Sequence, residues 1–495
     1  MEVTYIVIII IILPVTLYWF YWRWTHRRML DLAKSVPGPP ALPLVGNALL
    51  FMVNPKEQLK IVNQLLNKYG DYVKFWLGPD LNICVKNPAD IRFLLTSNKV
   101  TQKGPVYEFF KSFVGHGILS GGKHWKAHRK IVMPSYNKKA VNLFSAVFNK
   151  EAEDLAKVLS QKDPHQTFNV YFDVVHCTTQ SVCQTLMGLT KEESLNVARL
   201  REVMLETHNM YQLIHLKMTR WWLHIPIIYY LSGRKRIENK YIKMTEDLSS
   251  DILQKRKNAL KHEVTDENSM NAVDRLILEG LDEKEIKLEV FTLFTTSQEA
   301  SAKIVAGVLL FLAHLPEWQE KVYDEILATV GFTAEVTDEH LKNLHYLDMV
   351  YKEVLRYLAI GAMIQRSVEK EITINNGKIT LPVKTSLVIP IHELHRDSRY
   401  WDEPNKVKPE RFMPENVKKR DPNAFVPFSL GPMDCLGRVY ATKLIKTIVV
   451  QVIRQLKLEA DGTLEELELD IAISVKFAKG YNIRAKKRNN DATSA

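Results

Sequence analysis

The segment Phe428-Ser429-Leu430-Gly431-Pro432-Met433-Asp434-Cys435-Leu436-Gly437-Arg438 is a glycine-flanked loop that runs straight into an apolar-periodic run. Leu444, Ile448 and Val452 fall on one row and Ile445, Val449 and Ile453 on the next, the spacing of a helix between Gly437 and Leu456. A thiol at position 435 therefore faces a helix N-terminus, where free N–H groups and the macrodipole favour the thiolate. Gly431 and Gly437 admit a tight turn and the close approach of something flat. Taken alone, a cysteine at a helix start reads as an ordinary buried side chain. The patterns elsewhere in the chain take it further.

Trp125-x-x-x-Arg129 follows Gly121-Gly122 in a basic helical stretch. Indole N–H and guanidinium then sit one turn apart on one face, and two donors so placed suit a carboxylate. Glu353-Val354-Leu355-Arg356 puts an acid and a base at i and i+3, and Pro409-Glu410-Arg411-Phe412 follows in a proline-punctuated stretch. Asp282–His314 is a long helical pattern, with Asp282 and Glu285 as a capping box and Pro316 just past the end. At helical rise it spans about 45–50 Å, enough to cross a domain.

The Phe-x-x-Gly-x-x-x-Cys-x-Gly loop resembles the haem-ligand loop of the cytochrome P450 superfamily, and the other patterns stand in that family's order. The resemblance covers the chain from its N-terminal apolar segment to about Arg484. It implies haem b with Cys435 as iron ligand, Phe428, Gly431 and Gly437 shaping the loop, and Trp125, Arg129 and Arg366 holding the propionates. It implies a buried triad of Glu353, Arg356 and Arg411 bracing the loop. In the long helix, Thr296-Ser297-Gln298-Glu299-Ala300-Ser301 aligns with the element that delivers protons to bound oxygen. Glu299 stands for the acid, Ala300 for the usual threonine, and Ser301 one place later can supply a hydroxyl. Leu281-Asp282-Glu283-Lys284-Glu285-Ile286 and His128-Arg129-Lys130 resemble the fatty-acid ω-hydroxylase clan and its insect relatives. Met433 stands where the family usually has Arg or His on a propionate, which leaves one carboxylate short of a donor. Thr296 stands where many ω-hydroxylases carry an ester-forming Glu, so the haem is expected to be non-covalent.

The remaining sequence fits that picture. Helical patterns dominate and strand-like runs are few and short, so the fold class is mainly α with a small segregated β region. The long tract from Lys191 to Met218 is one expected helix; Arg220–Leu231, rich in Trp, Ile and Tyr, reads as non-helical; 261–274 reads as a loop; and Ile471–Phe477 reads as a strand. Val3–Trp22 is uncharged and apolar, ends in aromatics, and is followed by Arg23, Arg27 and Arg28, the pattern of one N-terminal transmembrane helix with the bulk of the chain cytosolic. No A-x-A-like site follows to favour a cleaved signal peptide. The domains expected are an anchor at 1–30, a stiff proline-rich hinge at 31–44, a haem domain at 45–485 and a disordered tail at 486–495. Four cysteines without metal or disulfide spacing fit a reducing compartment.

The formal net charge is +11, without the aromatic-interleaved basic stripe that would suggest nucleic acid. The function expected is a monooxygenase in the endoplasmic reticulum membrane that oxidises a lipophilic small molecule. Electrons would come from NADPH-cytochrome P450 reductase, with cytochrome b5 as a second donor, docking near Lys126, Lys130 and Lys443. Ala300 and Met433 keep two rivals in view: a peroxide-using or isomerising haem-thiolate enzyme, and a haem or hydrophobic-ligand binding protein without turnover.

Overall fold

The computed structural model describes residues 2–262, 266–267 and 269–488, with side chains from residue 13 onward. The architecture is organised around the central helix Glu283–His314. The Asp282 carboxylate caps it by accepting the Lys284 N–H at 3.0 Å, in place of the expected capping box, and Pro316 opens the next helix. Its C-terminal part, residues 304–313, is apolar and buried on every side, as a helix packed all round must be. It is flanked by the helices Tyr171–Thr185, Arg234–Ala259, His345–Leu358 and Arg438–Ile453.

Tyr171–Thr185 escaped the sequence reading because its Thr, Val and Cys residues are weak helix formers. Burial overrides propensity there. The Thr178 hydroxyl donates to the Gln298 carbonyl at 3.0 Å, and Thr185 pairs with the Tyr440 hydroxyl at 2.8 Å, so the polar groups are satisfied across helices.

The β structure is small and segregated. A five-stranded sheet runs in the order Tyr72–Leu77, Asp80–Val85, Ser386–Ile389, Ile364–Ser367, Gln102–Lys103. Lys103 lies directly opposite Arg366 in its last antiparallel pair. The run Ile471–Phe477 is a hairpin, Leu469–Ile471 against Val475–Phe477, because Ala472–Ser474 forms its turn.

Four other expectations move. The 191–218 tract breaks into Lys191–Leu195 and Leu200–Thr219. Arg220–Leu231 is helical in two short pieces, Trp221–His224 and Pro226–Leu231, since Pro226 sits at a first-turn position that needs no N–H. The loop expected at 261–274 ends three residues early, where the helix Ala272–Leu278 begins under the cap of the Asn271 side chain. The expected domain end at 485 moves outward: Lys486 and Lys487 belong to the strand Asn482–Lys487, paired with Leu456–Glu459, and Arg488 bonds Glu320 at 2.7 Å. The rest of the tail lies outside the described residues.

Val3–Trp22 falls within one continuous helix, Glu2–Thr25, most of whose first half has side chains outside the described set. Among the described residues no single helix is long and apolar enough to cross a membrane. The C-terminal end of that helix is part of the globular core. Trp22 is 7% exposed, stacks on Trp19 and meets Trp76 edge-on at 5.7 Å. The hinge is docked too. Its first residues close the helix Arg27–Ala33, the Pro37 carbonyl accepts from Lys74 N–H at 2.8 Å, and the Pro40 carbonyl accepts from Asn47 at 2.8 Å.

Candidate active site

The Cys435 loop is held by its own backbone. Cys435 N–H donates to the Phe428 carbonyl at 2.8 Å, and Asp434 N–H to Gly431 at 3.0 Å, closing a short 3₁₀ turn. Gly437 then caps the helix Arg438–Ile453. The two glycines act differently. Gly431 has φ +76°, and a Cβ there would lie 2.0 Å from the Leu95 carbonyl oxygen, so it serves loop packing against the helix Pro88–Thr96. Gly437 has an ordinary φ, and the nearest atom to a Cβ would be Tyr136 Cε1 at 3.9 Å, which leaves that side open. Cys84, Cys177 and Cys183 are buried; Cys435 is exposed. Its thiol is nonetheless crowded by protein, and desolvation pushes its ionisation up from 9.0. The Gly437 N–H and the Arg129 and Arg438 cations pull it back.

On the central helix, Thr296 is exposed and Ser297 and Ala300 partly so, although the flanking turns are buried. Successive residues turn by about 100°, so 296, 297 and 300 form one stripe. Tyr136 joins this stripe to the thiol loop: its hydroxyl neighbours Ser297, and its ring lies nearest the open side of Gly437. Glu299 and Ser301 were the expected proton carriers, yet both are buried off the stripe. The Glu299 carboxylate is taken by the buried Lys303 ammonium one turn on, and accepts from the Ser474 hydroxyl at 3.1 Å. The hydroxyls that do reach the open side are Thr296 and Ser297.

Cations converge beside the thiol. Arg129 forks onto Asp434 of the loop itself, at 2.8 Å to its carbonyl and 2.5 Å to its carboxylate, and Trp125 is buried one turn earlier. Arg366 is 2% exposed and donates to the Met433 carbonyl at 3.4 Å. Lys103, which the sequence did not flag, is the third. Opposite residues of an antiparallel pair share a face, so its register with Arg366 places two cations side by side. Its ammonium lies over the Tyr107 ring at 4.7 Å. Burial, then the Arg366 and Arg129 charges, hold Lys103 well below its ordinary 10.5. Among the described residues neither Lys103 nor Arg366 pairs with a carboxylate. Buried cations without counter-ions are costly, so this donor set fits a group that brings its own carboxylates. Lys443, expected on the partner-docking face, is instead buried against Asp338 at 2.6 Å, while Lys126, Lys130 and Arg438 are exposed.

The Glu-x-x-Arg motif closes as the resemblance implied. Glu353 and Arg356 are fully buried and bidentate, with both N···O distances 2.7 Å, and Arg411 Nε stands 3.5 Å from Glu353. Arg356 also donates to the carbonyls of His395, Pro404 and Lys406. His395 Nε2 accepts the Val426 N–H at 3.0 Å, two residues before Phe428. This imidazole is the link between triad and thiol loop, and no sequence spacing announced it.

The family model for cytochrome P450 matches residues 36–479. The chain is 30% identical over 473 residues to cytochrome P450 4d1 of Drosophila melanogaster, covering 90% of this chain and 92% of that protein. It is 30% identical over 489 residues to cytochrome P450 4V2 of Rattus norvegicus, covering 94% and 92%. To the Homo sapiens 4V2 protein it is 28% identical over 490 residues, covering 95% and 92%. A thiol-bearing loop under a long buried helix, unpaired cations beside it and a family match along nearly the whole chain lead to one conclusion: the chain belongs to the cytochrome P450 family, whose members bind haem b through a cysteine thiolate, and is a haem-thiolate monooxygenase.

Proposed function

We propose that Cys435 is the iron ligand of a membrane-anchored monooxygenase acting on lipophilic small molecules. The observation that carries this reading is that the exposed cysteine stands beside a buried Arg366 and a half-buried Lys103 with no carboxylate partner among the described residues. Bound haem supplies the oxidising chemistry, favoured by electron donation from the thiolate. The residues that would hold its propionates are Arg366 and Lys103 on one side and Trp125 with Arg129, which also forks onto Asp434, on the other, so Lys103 would fill the role that Met433 leaves vacant. Phe428, Gly431 and Gly437 hold the loop in shape, and the Glu353–Arg356–Arg411 triad braces it through His395.

Thr296 and Ser297 hold a water for proton delivery on the open side of the central helix. Glu299 acts elsewhere. With Lys303 it anchors Ser474, and so ties the turn of the 469–477 hairpin to the central helix. Electrons reach the site from NADPH through NADPH-cytochrome P450 reductase, with cytochrome b5 as a second donor, at a basic face formed by Lys126, Lys130 and Arg438. The apolar Val3–Trp22 segment with Arg23, Arg27 and Arg28 after it supports an endoplasmic reticulum anchor with the domain cytosolic. Trp221, Ile227, Tyr230 and Leu231 are exposed on the 221–231 segment and suit a bilayer surface from which a lipophilic substrate enters.

The test is spectroscopic and catalytic together. Reduced wild-type protein is expected to give the thiolate-type carbon-monoxide band and, with reductase and NADPH, to oxidise members of a lipid panel. Cys435→Ala should lose both. A retained band in the variant would refute Cys435 as ligand.

A further inference from the structure

The helix Trp125–Val132 and the residue before it present three faces. Trp125 and Arg129 lie toward the thiol loop, Lys126 and Lys130 toward solvent, and His124 and His128 toward the central helix. On that third side His128 is 3% exposed, and its Nδ1 lies 2.7 Å from Oε1 of Glu289, itself 1% exposed. The same oxygen accepts the Ile118 N–H at 3.0 Å. Gly117 makes room for it, since a Cβ there would stand 1.8 Å from Glu289 Oε1. A carboxylate accepting from Nδ1–H fixes the tautomer and leaves the Nε2 lone pair free. That is the arrangement in which a second-shell acid orients a metal-binding imidazole.

Two more donors stand beside it. His124 is exposed, four residues earlier, with its ring centroid 5.6 Å from that of His128. Glu285 is half-buried, one turn before Glu289 on the central helix. Ligand atoms of His124, His128 and Glu285 all lie within 4.8 Å of one another. Around zinc, with bonds of about 2.0–2.2 Å, donor atoms sit roughly 3.3 Å apart. The set therefore has to draw in by on the order of an ångström, which an exposed histidine and a half-buried glutamate can do by side-chain rotation. Two imidazoles at i and i+4 with one carboxylate suit a zinc-class ion and do not suit calcium or magnesium, which take oxygen donors.

We propose that His124, His128 and Glu285 form a second metal site, separate from the iron, that binds one divalent zinc-class ion with water as the fourth ligand. The ion ties the helix bearing Trp125 and Arg129 to the central helix.

The experiment uses the full-length holoprotein in detergent, dialysed against zinc chloride at micromolar concentrations, with zinc and iron counted by elemental analysis and binding followed by calorimetry. Wild type is expected to bind one zinc per chain and to gain thermal stability with zinc, as linkage requires. His124→Ala at an exposed position and Glu285→Gln at a half-buried one should each weaken binding at least tenfold. Glu289→Gln, which touches only the orienting acid, should weaken it roughly 10–100-fold. No stoichiometric zinc in wild type, or equal binding by His124→Ala and Glu285→Gln, overturns the proposal and makes any bound zinc adventitious.

Discussion

Lys103 shows how a single side chain can carry opposite signs in two states. Without an anion it is a half-buried ammonium facing Arg366, and like charges directly opposite in a sheet destabilise it. With a carboxylate between them, each charge-assisted hydrogen bond contributes about 1.5–3 kcal/mol. Lys103→Met should therefore raise the unfolding midpoint of the haem-free protein and, at the same time, speed haem transfer to apomyoglobin by roughly 10–100-fold. Loss of a merely structural residue would instead lower the midpoint while speeding haem transfer. Met433→Arg should alter the transfer rate far less, because Lys103 already answers the carboxylate that Met433 cannot. Met433 itself was visible in the sequence as a departure. Its substitute was not, since Gln102–Lys103 is a two-residue strand whose register with Arg366 exists only in the folded sheet.

At the scale of the elements, the brace from the His345–Leu358 helix to the thiol loop runs through a neutral histidine. Burial first, then the Arg356 and Arg396 cations, hold His395 well below 6.5, and its Nε2 must stay unprotonated to accept the Val426 N–H. His392 and His215 are held down to about 4, mainly by burial. The unfolded chain takes up protons on these groups as pH falls through 6.5, and the folded chain does not. Stability is thus present above that pH and is lost below it, by about 1.4 kcal/mol per pH unit for each group. Unfolding free energies from urea titrations between about pH 6.5 and 5 should fall with that slope, and His395→Gln should remove one group's share. An unchanged slope in the variant would show that His395 does not titrate on unfolding. The Glu-x-x-Arg signature was legible because both partners sit on one helix three residues apart. His395 was not, because its two contacts come from segments far apart in sequence.

For the whole molecule, the N-terminal helix belongs to two environments. Leu13, Leu17, Tyr18 and Phe20 are exposed, while Trp22 is buried against Trp76 on the five-stranded sheet. A chain starting at Tyr18 should keep the full-length unfolding midpoint and leave the membrane fraction. One starting at Arg27 loses the Trp22 contact, and burying a large apolar side chain contributes about 1.5–3 kcal/mol. Denaturant titration of the two truncations, with sedimentation of each from lysed cells, measures both effects. Equal midpoints would mean that Trp22 packs on the domain without holding it.

The amino-acid sequence by itself determined the fold class, the thiol loop, the central helix and the Glu353–Arg356–Arg411 set. The first three are written in local periodicity or in a motif a few residues long; Glu353 and Arg356 lie one turn apart, whereas Arg411, far along the chain, was placed beside them by the family resemblance. Only the tertiary structure decided which side of the central helix is open. Helical phase together with the packing of neighbouring helices leaves Thr296 and Ser297 accessible, and closes Glu299 onto Lys303 and Ser301 into the core. It also decided that Lys443 is a buried ion-pair partner, that Gly431 serves the Leu95 carbonyl, and that Lys103 joins Arg366. In each of these last three cases the controlling interaction spans more than a hundred residues, and its energy depends on burial that no local pattern encodes.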